Sequence, residues 1–363
     1  MDKDIDINKG RKELFMKHGG DTLSYKHMYE GELIDFSSNI NPLGFPKGLV
    51  EAIVDDIDQL TKYPDIQYRE LKQEIGRYLG CSTKEVLLGN GAVEIIDNMI
   101  MLFHRVVVFV PCFCEYIERA EIHKKEVIKL ALNEEFSINT ELLRENTKAG
   151  DLIILGNPNN PTGKRIPLEK LKELIELVEE KDSFLLLDEA FFEFCSKDYD
   201  SIELFGNSKN VCIIRAATKF FALPGIRLGY GFTNVSLAEK YNSIVLPWNV
   251  NSVANSVGLR IFKDADYIRE SKEYIMQQRE YLMERLKKIE ELKVFETDTN
   301  FILLKLQNTR EDELFEYLLH KGIVIRKASS FEGLDKSYIR IAVKGQGDND
   351  KLIRCMEEFY SKR

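Results

Sequence analysis

The segment VCIIRAATKFFALPGIRLGYGF, residues 211–232, holds two short apolar runs, 211–214 and 228–232, and between them Arg215, Thr218, Lys219 and Arg227. An apolar run of this length that breaks abruptly into polar residues reads as a buried strand whose carboxyl end faces a cleft. Working outward, the same form recurs at 184–187, 152–155, 127–130, 106–110 and 86–88. Amphipathic stretches lie between these runs, at 93–102, 115–123 and 168–179. In the last, Leu168, Leu171, Leu174, Ile175 and Val178 share one face, with Lys and Glu opposite. Strands alternating with helices predict an α/β fold around a mostly parallel seven-stranded sheet. From about residue 264 the pattern changes to a long helix, 267–289, then strands at 301–306, 323–326 and 338–343 with helices near 311–320 and 351–360. This reads as a smaller α+β unit. The expected division is a large domain over 46–262, with an N-terminal arm, 1–45, and a small domain, 263–363.

Composition sets the bounds. The chain has 363 residues, 44% of them hydrophobic, and 51 Lys+Arg against 60 Asp+Glu for a net charge of −9. That supports a sizeable core, and no apolar run nears the roughly 18 residues needed to cross a bilayer. An acidic chain without a basic block is a poor match to nucleic acid, whose phosphates call for clustered Lys and Arg. The charged start, Met1 to Asp6, is not followed by an apolar segment of the signal-peptide kind, so the expectation is a soluble, cytoplasmic protein. The six cysteines are scattered and only Cys112 and Cys114 are close-set, which predicts reduced thiols and no metal site.

The chemistry should sit at the strand ends. After 152–155 comes GNPNNPTGK, residues 156–164; after 184–187 comes Asp188-Glu189-Ala190-Phe191; after 86–88 comes Gly89-Asn90-Gly91. A phosphate loop needs four residues between Gly and Gly-Lys and then Ser or Thr, whereas here six intervene and Arg165 follows Lys164. The third glycine of a dinucleotide fingerprint is also missing after Gly91. A pyridoxal phosphate site requires an amine, a carboxylate for the ring nitrogen, an aromatic face and donors for a dianionic phosphate. Lys219, set among Phe220, Phe221 and Leu223, supplies an amine whose charge burial disfavours. Asp188 suits the ring nitrogen, and Asn160 the phenolic oxygen. Phe113 offers the face, and Arg227, Thr218 and the amides of Gly91, Ala92 and Val93 suit the phosphate. Taken singly, each has a plainer reading: a solvated lysine, a capping aspartate, a core phenylalanine, a surface arginine. Their order at successive strand ends favours the cofactor.

The segment RAATKFFALPGIRLGY, 215–230, resembles the lysine motif of the fold-type-I pyridoxal phosphate enzymes, the aspartate aminotransferase superfamily, and the likeness runs nearly end to end. The resemblance implies a fold of that type in which Lys219 carries the cofactor, Asp188 faces the ring nitrogen, Asn160 meets the phenolic oxygen, Phe113 stacks, and Thr218 and Arg227 hold the phosphate. Tyr63, in KYPD at 62–65, matches a tyrosine that reaches the phosphate from the other subunit, so a homodimer with shared sites is implied. Two branches compete, histidinol-phosphate aminotransferase and the threonine-phosphate decarboxylase of cobalamin synthesis. His18-Gly19-Gly20, DFSSNINPLG at 35–44, FCEY at 113–116 and PWNVN at 247–251 are similar to the decarboxylase, while Lys344 stands where an arginine belongs. Phe191 occupies a place where many of the aminotransferases have a tyrosine bonded to the cofactor, which points the same way. On this reading Arg340 holds the substrate carboxylate and Arg326, with His18 and Asn39, its phosphate. A cofactor-binding regulatory module is the competing non-enzyme reading, and no basic helix-turn-helix segment before residue 46 supports it.

Overall fold

The computed structural model describes residues 18–196, 198–205 and 208–362. In chain order its strands are β1 Ile34–Asp35, β2 Val86–Asn90, β3 Arg105–Val110, β4 Glu126–Ala131, β5 Leu152–Gly156, β6 Phe184–Asp188, β7 Val211–Ala216, β8 Leu228–Thr233, β9 Leu292–Val294, β10 Phe301–Leu306, β11 Ile323–Val324, β12 Arg326–Lys327 and β13 Tyr338–Ala342. Seven of them form one sheet in the order β2-β8-β7-β6-β5-β3-β4. Every pairing from β7 through β4 is parallel, and β8 runs antiparallel to both its neighbours.

The inner strands β3, β5, β6 and β7 are apolar on both sides because both sides are covered. Val107, Phe109, Ile153, Leu155, Leu185, Leu187 and Ile213 belong to one core cluster, and the alternate residues Val106, Val108, Leu152, Ile154, Leu186, Cys212 and Ile214 to another. Such two-faced burial turns a strand from alternating to continuously hydrophobic, which is why the runs stood out. A second sheet, in the order β12-β13-β10-β9, is antiparallel and has its own core, into which Phe36 packs fully buried.

Two expectations need correction here. The single strand expected at 323–326 is divided at the buried Ile325: β11 pairs in parallel with β1, whereas β12 joins β13 antiparallel. An unbroken apolar run carries no mark of where its hydrogen-bonding partner changes. The short β9 was not anticipated either. The first part of the expected arm, residues 1–17, lies outside the described residues. Its later part is woven into the small sheet, since the amide of Phe36 donates to Val324 O at 2.8 Å and Phe36 O accepts from Ala342 N at 2.9 Å. All six cysteines are free, and among the described residues no helix is long and apolar enough to cross a membrane.

At the amino ends of two neighbouring parallel strands, Arg105 Nε and Nη2 donate to the two oxygens of Asp151 at 2.7 and 2.5 Å. Both residues are buried. Removing Asp151 leaves the Arg105 guanidinium with Asn146 O at 3.1 Å and the more exposed Glu126 carboxylate at 3.8 Å, so Asp151→Ala is expected to lower stability by about 3 kcal/mol, the lower end for a broken buried pair. Replacing both residues by apolar ones of similar size should recover much of that loss. Denaturant unfolding of the two variants against the parent measures the difference.

Candidate active site

In register, Gly156 of β5 lies opposite Asp188 of β6, and Asp188 opposite Ile214 of β7. β5 and β6 therefore end level with each other while β7 runs two residues further, to Ala216, and residues beyond these ends face a common cavity of about 240 Å³. Asn160, Asp188, Thr218, Lys219 and Arg227 line it from loops of the large sheet and from the end of β6. Ala92 and Val93 line it from the start of the helix Ala92–Met101, and Phe113 from the loop after β3. Arg326 and Arg340 enter from the small sheet, and His18 and Asn39 from the arm. Twelve of the expected residues thus meet in one place. Gly91 borders it without lining it. Tyr63 lies elsewhere on its own chain, 80% exposed, its ring centroid 4.5 Å from that of Trp248.

Several devices hold this arrangement. Asn41 N–H donates to Lys219 O at 3.1 Å, and its side-chain Nδ2 to Phe220 O at 2.9 Å, so the arm fastens the lysine loop. Glu189, with no exposed surface, accepts from Asn157 Nδ2 at 3.0 Å, from Ser201 Oγ at 2.5 Å and from Arg215 Nη2 at 3.0 Å. One carboxylate just past the end of β6 thereby joins the loop carrying Asn160 to the strand that leads to Lys219.

Arg227 and Gly91 form a cradle. A Cβ on Gly91, which has φ +82°, would lie 2.3 Å from Arg227 Nη2, and one on Gly229 would lie 2.4 Å from Ala92 N. Only glycine lets the guanidinium lie against the backbone there. Gly91 also leaves the following helix without a side-chain cap, so its first amides are available to an anion beside Arg227.

The electrostatics run against the acidic chain as a whole. Burial, reinforced by Arg340, pulls the Lys219 amine down to about 8, which makes it a nucleophile near neutral pH. Asp188 is pushed up by burial, and is opposed by two donors: Tyr116 OH to Oδ2 at 2.7 Å and Ala190 N–H to Oδ1 at 3.0 Å. Arg340 is pulled down to about 9 by burial and by Arg326. Its Nη1 donates to Asn160 Oδ1, its Nη2 to Ser37 O at 2.8 Å, and its Nε is buried with no partner among the described residues. Rings of Phe301 and Phe331 flank the guanidinium at 5.2 and 5.7 Å. At the mouth, His18 Nε2 is 3.2 Å from Glu115 Oε1, and ligand atoms of His18, Cys114 and Glu115 all lie within 4.8 Å of one another, a grouping their sequence positions did not suggest. Ser37, Ser38, Tyr116 and Phe331 also line the cavity without having been anticipated. Of these, Tyr116 left a signal: it lies three residues beyond Phe113, one helical turn away.

Residues 31–359 match the family model for aminotransferase class I and II, and the chain belongs to that family. A protein of Caldanaerobacter subterraneus subsp. tengcongensis, provisionally named a threonine-phosphate decarboxylase, is 41% identical over 98% of this chain and 96% of its own length. The adenosylcobalamin biosynthesis bifunctional protein CobDQ of Leptospira interrogans is 35% identical over 92% of this chain, which spans 39% of that longer protein. Among solved structures, the histidinol-phosphate aminotransferase from Clostridium acetobutylicum superposes with a TM-score of 0.87 at 39% identity, covering 91% of this chain and all of that one. The fold is accordingly the fold-type-I one, and the cofactor of the family is pyridoxal 5′-phosphate. The residues present fit it: a partly neutral amine, a buried carboxylate, a glycine-backed guanidinium and free helix amides share one cavity.

A lysine that loses its proton near pH 8 attacks an aldehyde through its neutral form. The rate at which the apoprotein takes up pyridoxal phosphate is therefore expected to rise about tenfold per pH unit and to level off above about 8. In Arg340→Met, where a repelling positive charge is gone, the levelling should move to higher pH. Stopped-flow absorbance across a pH series checks both.

Proposed function

We propose that the chain decarboxylates L-threonine O-3-phosphate to 1-amino-2-propanol O-phosphate, a step of cobalamin synthesis. The observation that carries this reading is the pairing of Arg326 with Arg340. They are cross-strand partners on β12 and β13, both buried, both lining the cavity. Directly opposed residues point to one face, and like charges so placed repel. A compact ligand with two anionic groups relieves that repulsion. Threonine phosphate carries a carboxylate and a phosphate a few bonds apart, whereas histidinol phosphate has only its phosphate. The names of the relatives from Caldanaerobacter and Leptospira support the same choice.

In this reading Arg340 grips the carboxylate, using the Nε that has no partner among the described residues, and Arg326 the phosphate, with His18 and Asn39 beside it. Pyridoxal phosphate, when bound, supplies an electron-accepting ring for the pair released from whichever α-carbon bond stands perpendicular to it. The arginines decide which bond that is by fixing the two ends of the substrate. With the carboxylate perpendicular, carbon dioxide departs and Lys219 Nζ delivers a proton to the same carbon. Asp188 holds positive charge at the ring nitrogen. Phe191 packs its ring edge on Phe301 at a centroid distance of 4.9 Å and brings no hydroxyl to the site. Tyr63 acts in the site of a second copy: it stands exposed with Ile66, Leu246 and Trp248, an apolar group that a homodimer would cover.

The second reading, a histidinol-phosphate aminotransferase, is favoured by the 39% identity to the Clostridium acetobutylicum enzyme. There the paired arginines would serve the two carboxylates of the amino-group donor or acceptor. The experiment is to supply L-threonine phosphate with no keto acid and measure carbon dioxide. Stoichiometric release is expected; turnover seen only with histidinol phosphate and 2-oxoglutarate would overturn the proposal. Truncating a buried charge that meets an opposite charge costs about 2–5 kcal/mol, so Arg326→Met should lower kcat/KM for threonine phosphate by roughly 30-fold or more.

A further inference from the structure

We infer that the Tyr116 hydroxyl is a positioning group that sets how strongly Asp188 holds a proton on the cofactor's ring nitrogen. The inference rests on Asp188 facing that nitrogen. Two hydrogen-bond donors reach the Asp188 carboxylate in the described structure, the Tyr116 hydroxyl at 2.7 Å on Oδ2 and the Ala190 amide at 3.0 Å on Oδ1. The amide belongs to the turn that follows β6 and is fixed by the backbone. The hydroxyl comes from elsewhere in the chain and is the one a side-chain change can remove.

Tyr116 is placed for this by the topology. It lies in the first turn of the helix Glu115–Ile122, which follows β3, and its amide donates to Phe113 O at 3.2 Å. In the sheet order β3 is separated from β6 only by β5, so a side chain leaving the end of β3 can pass over β5 and meet Asp188. The ring is held by the edge of Phe113 at a centroid distance of 5.6 Å and is itself 2% exposed. A buried phenol needs a partner for its O–H, and a plain core tyrosine could meet that need with any carbonyl. Here the partner is the carboxylate on which the electron-accepting power of the ring depends.

The physical consequence is direct. A proton between a pyridine nitrogen and a carboxylate goes to whichever base is better stabilised without it. In a buried site each donor on the carboxylate keeps the negative charge there and the proton on the nitrogen. Without the hydroxyl, the carboxylate becomes the stronger base, the proton moves toward Asp188, and the ring accepts electrons less well. Substrate contacts do not involve this bond, so the effect falls on kcat and not on KM.

The test uses the holoenzyme loaded with pyridoxal phosphate labelled with 15N in the ring. In Tyr116→Phe the 15N resonance should move toward that of neutral pyridine, and kcat should fall roughly 10- to 100-fold, the range for a hydrogen bond to a charged group, with KM unchanged. Reconstitution with the cofactor analogue that has carbon in place of the ring nitrogen should abolish the difference between parent and variant. An unmoved resonance, or an equal deficit with the carbon analogue, would make Tyr116 a packing residue and overturn the inference. Should Tyr116→Phe fold poorly, fluorinated tyrosines at position 116 keep the shape and strengthen the donor. The resonance should then track phenol acidity, and no trend would again overturn the inference. Asp188→Asn separates the two layers: if it leaves the resonance where it was, the assignment of Asp188 to the nitrogen has failed; if it moves the resonance while Tyr116→Phe does not, only the role of Tyr116 has failed.

Discussion

The in-register pairing of β5, β6 and β7 sets Gly156 beside Asp188 and Asp188 beside Ile214, and the rest of the site depends on that alignment. Parallel strands all deliver their carboxyl ends to one edge of the sheet, so the loops that follow approach each other whatever their separation in the chain. The alignment is kept by bonds that run across the strand ends. Asn157 N–H donates to Asp188 O and Glu189 N–H to Ile214 O, each at 2.8 Å, and the Glu189 side chain repeats the connection with Asn157 and Arg215. A shift of one strand by a single residue would turn Asp188 to the other face of the sheet.

Onto that edge the small sheet and the arm bring positive charge. Among the described residues, Lys219, Arg227, Arg326 and Arg340 share the cavity with a single acidic side chain, Asp188, in a chain whose net charge is −9. Burial and the charge of Arg340 depress Lys219, and burial and the charge of Arg326 depress Arg340. Anions entering the cavity relieve the strain, which makes the empty pocket electrostatically uphill and the filled one favourable.

Much of this was legible in the sequence, for identifiable reasons. Residues at the ends of uninterrupted apolar runs, Asp188, Asn160 and Lys219, are marked by the abrupt change in polarity that the buried sheet imposes. Asn39, His18, Arg326 and Arg340 carry no such mark, and a family resemblance was needed to single them out. Partnerships across the fold were not legible. Tyr116 and Asp188 are 72 positions apart, Glu189 and Arg215 are 26 apart, and nothing local in either pair announces the other. The division of 323–326 at Ile325 escaped for a related reason: β11 and β12 take their identity from β1 and β13, which lie far away in the chain.

The contact of Arg227 with Gly91, and of Gly229 with Ala92, has a consequence for how such a chain can change over generations. A methyl group at either glycine collides with the neighbouring backbone or guanidinium, and at Gly91, with φ +82°, it would be strained even if Arg227 were shortened, so neither glycine can drift alone. Arg227, Gly91 and Gly229 are thus bound together by shape: the corner tolerates the guanidinium because two of its residues carry no side chain at all.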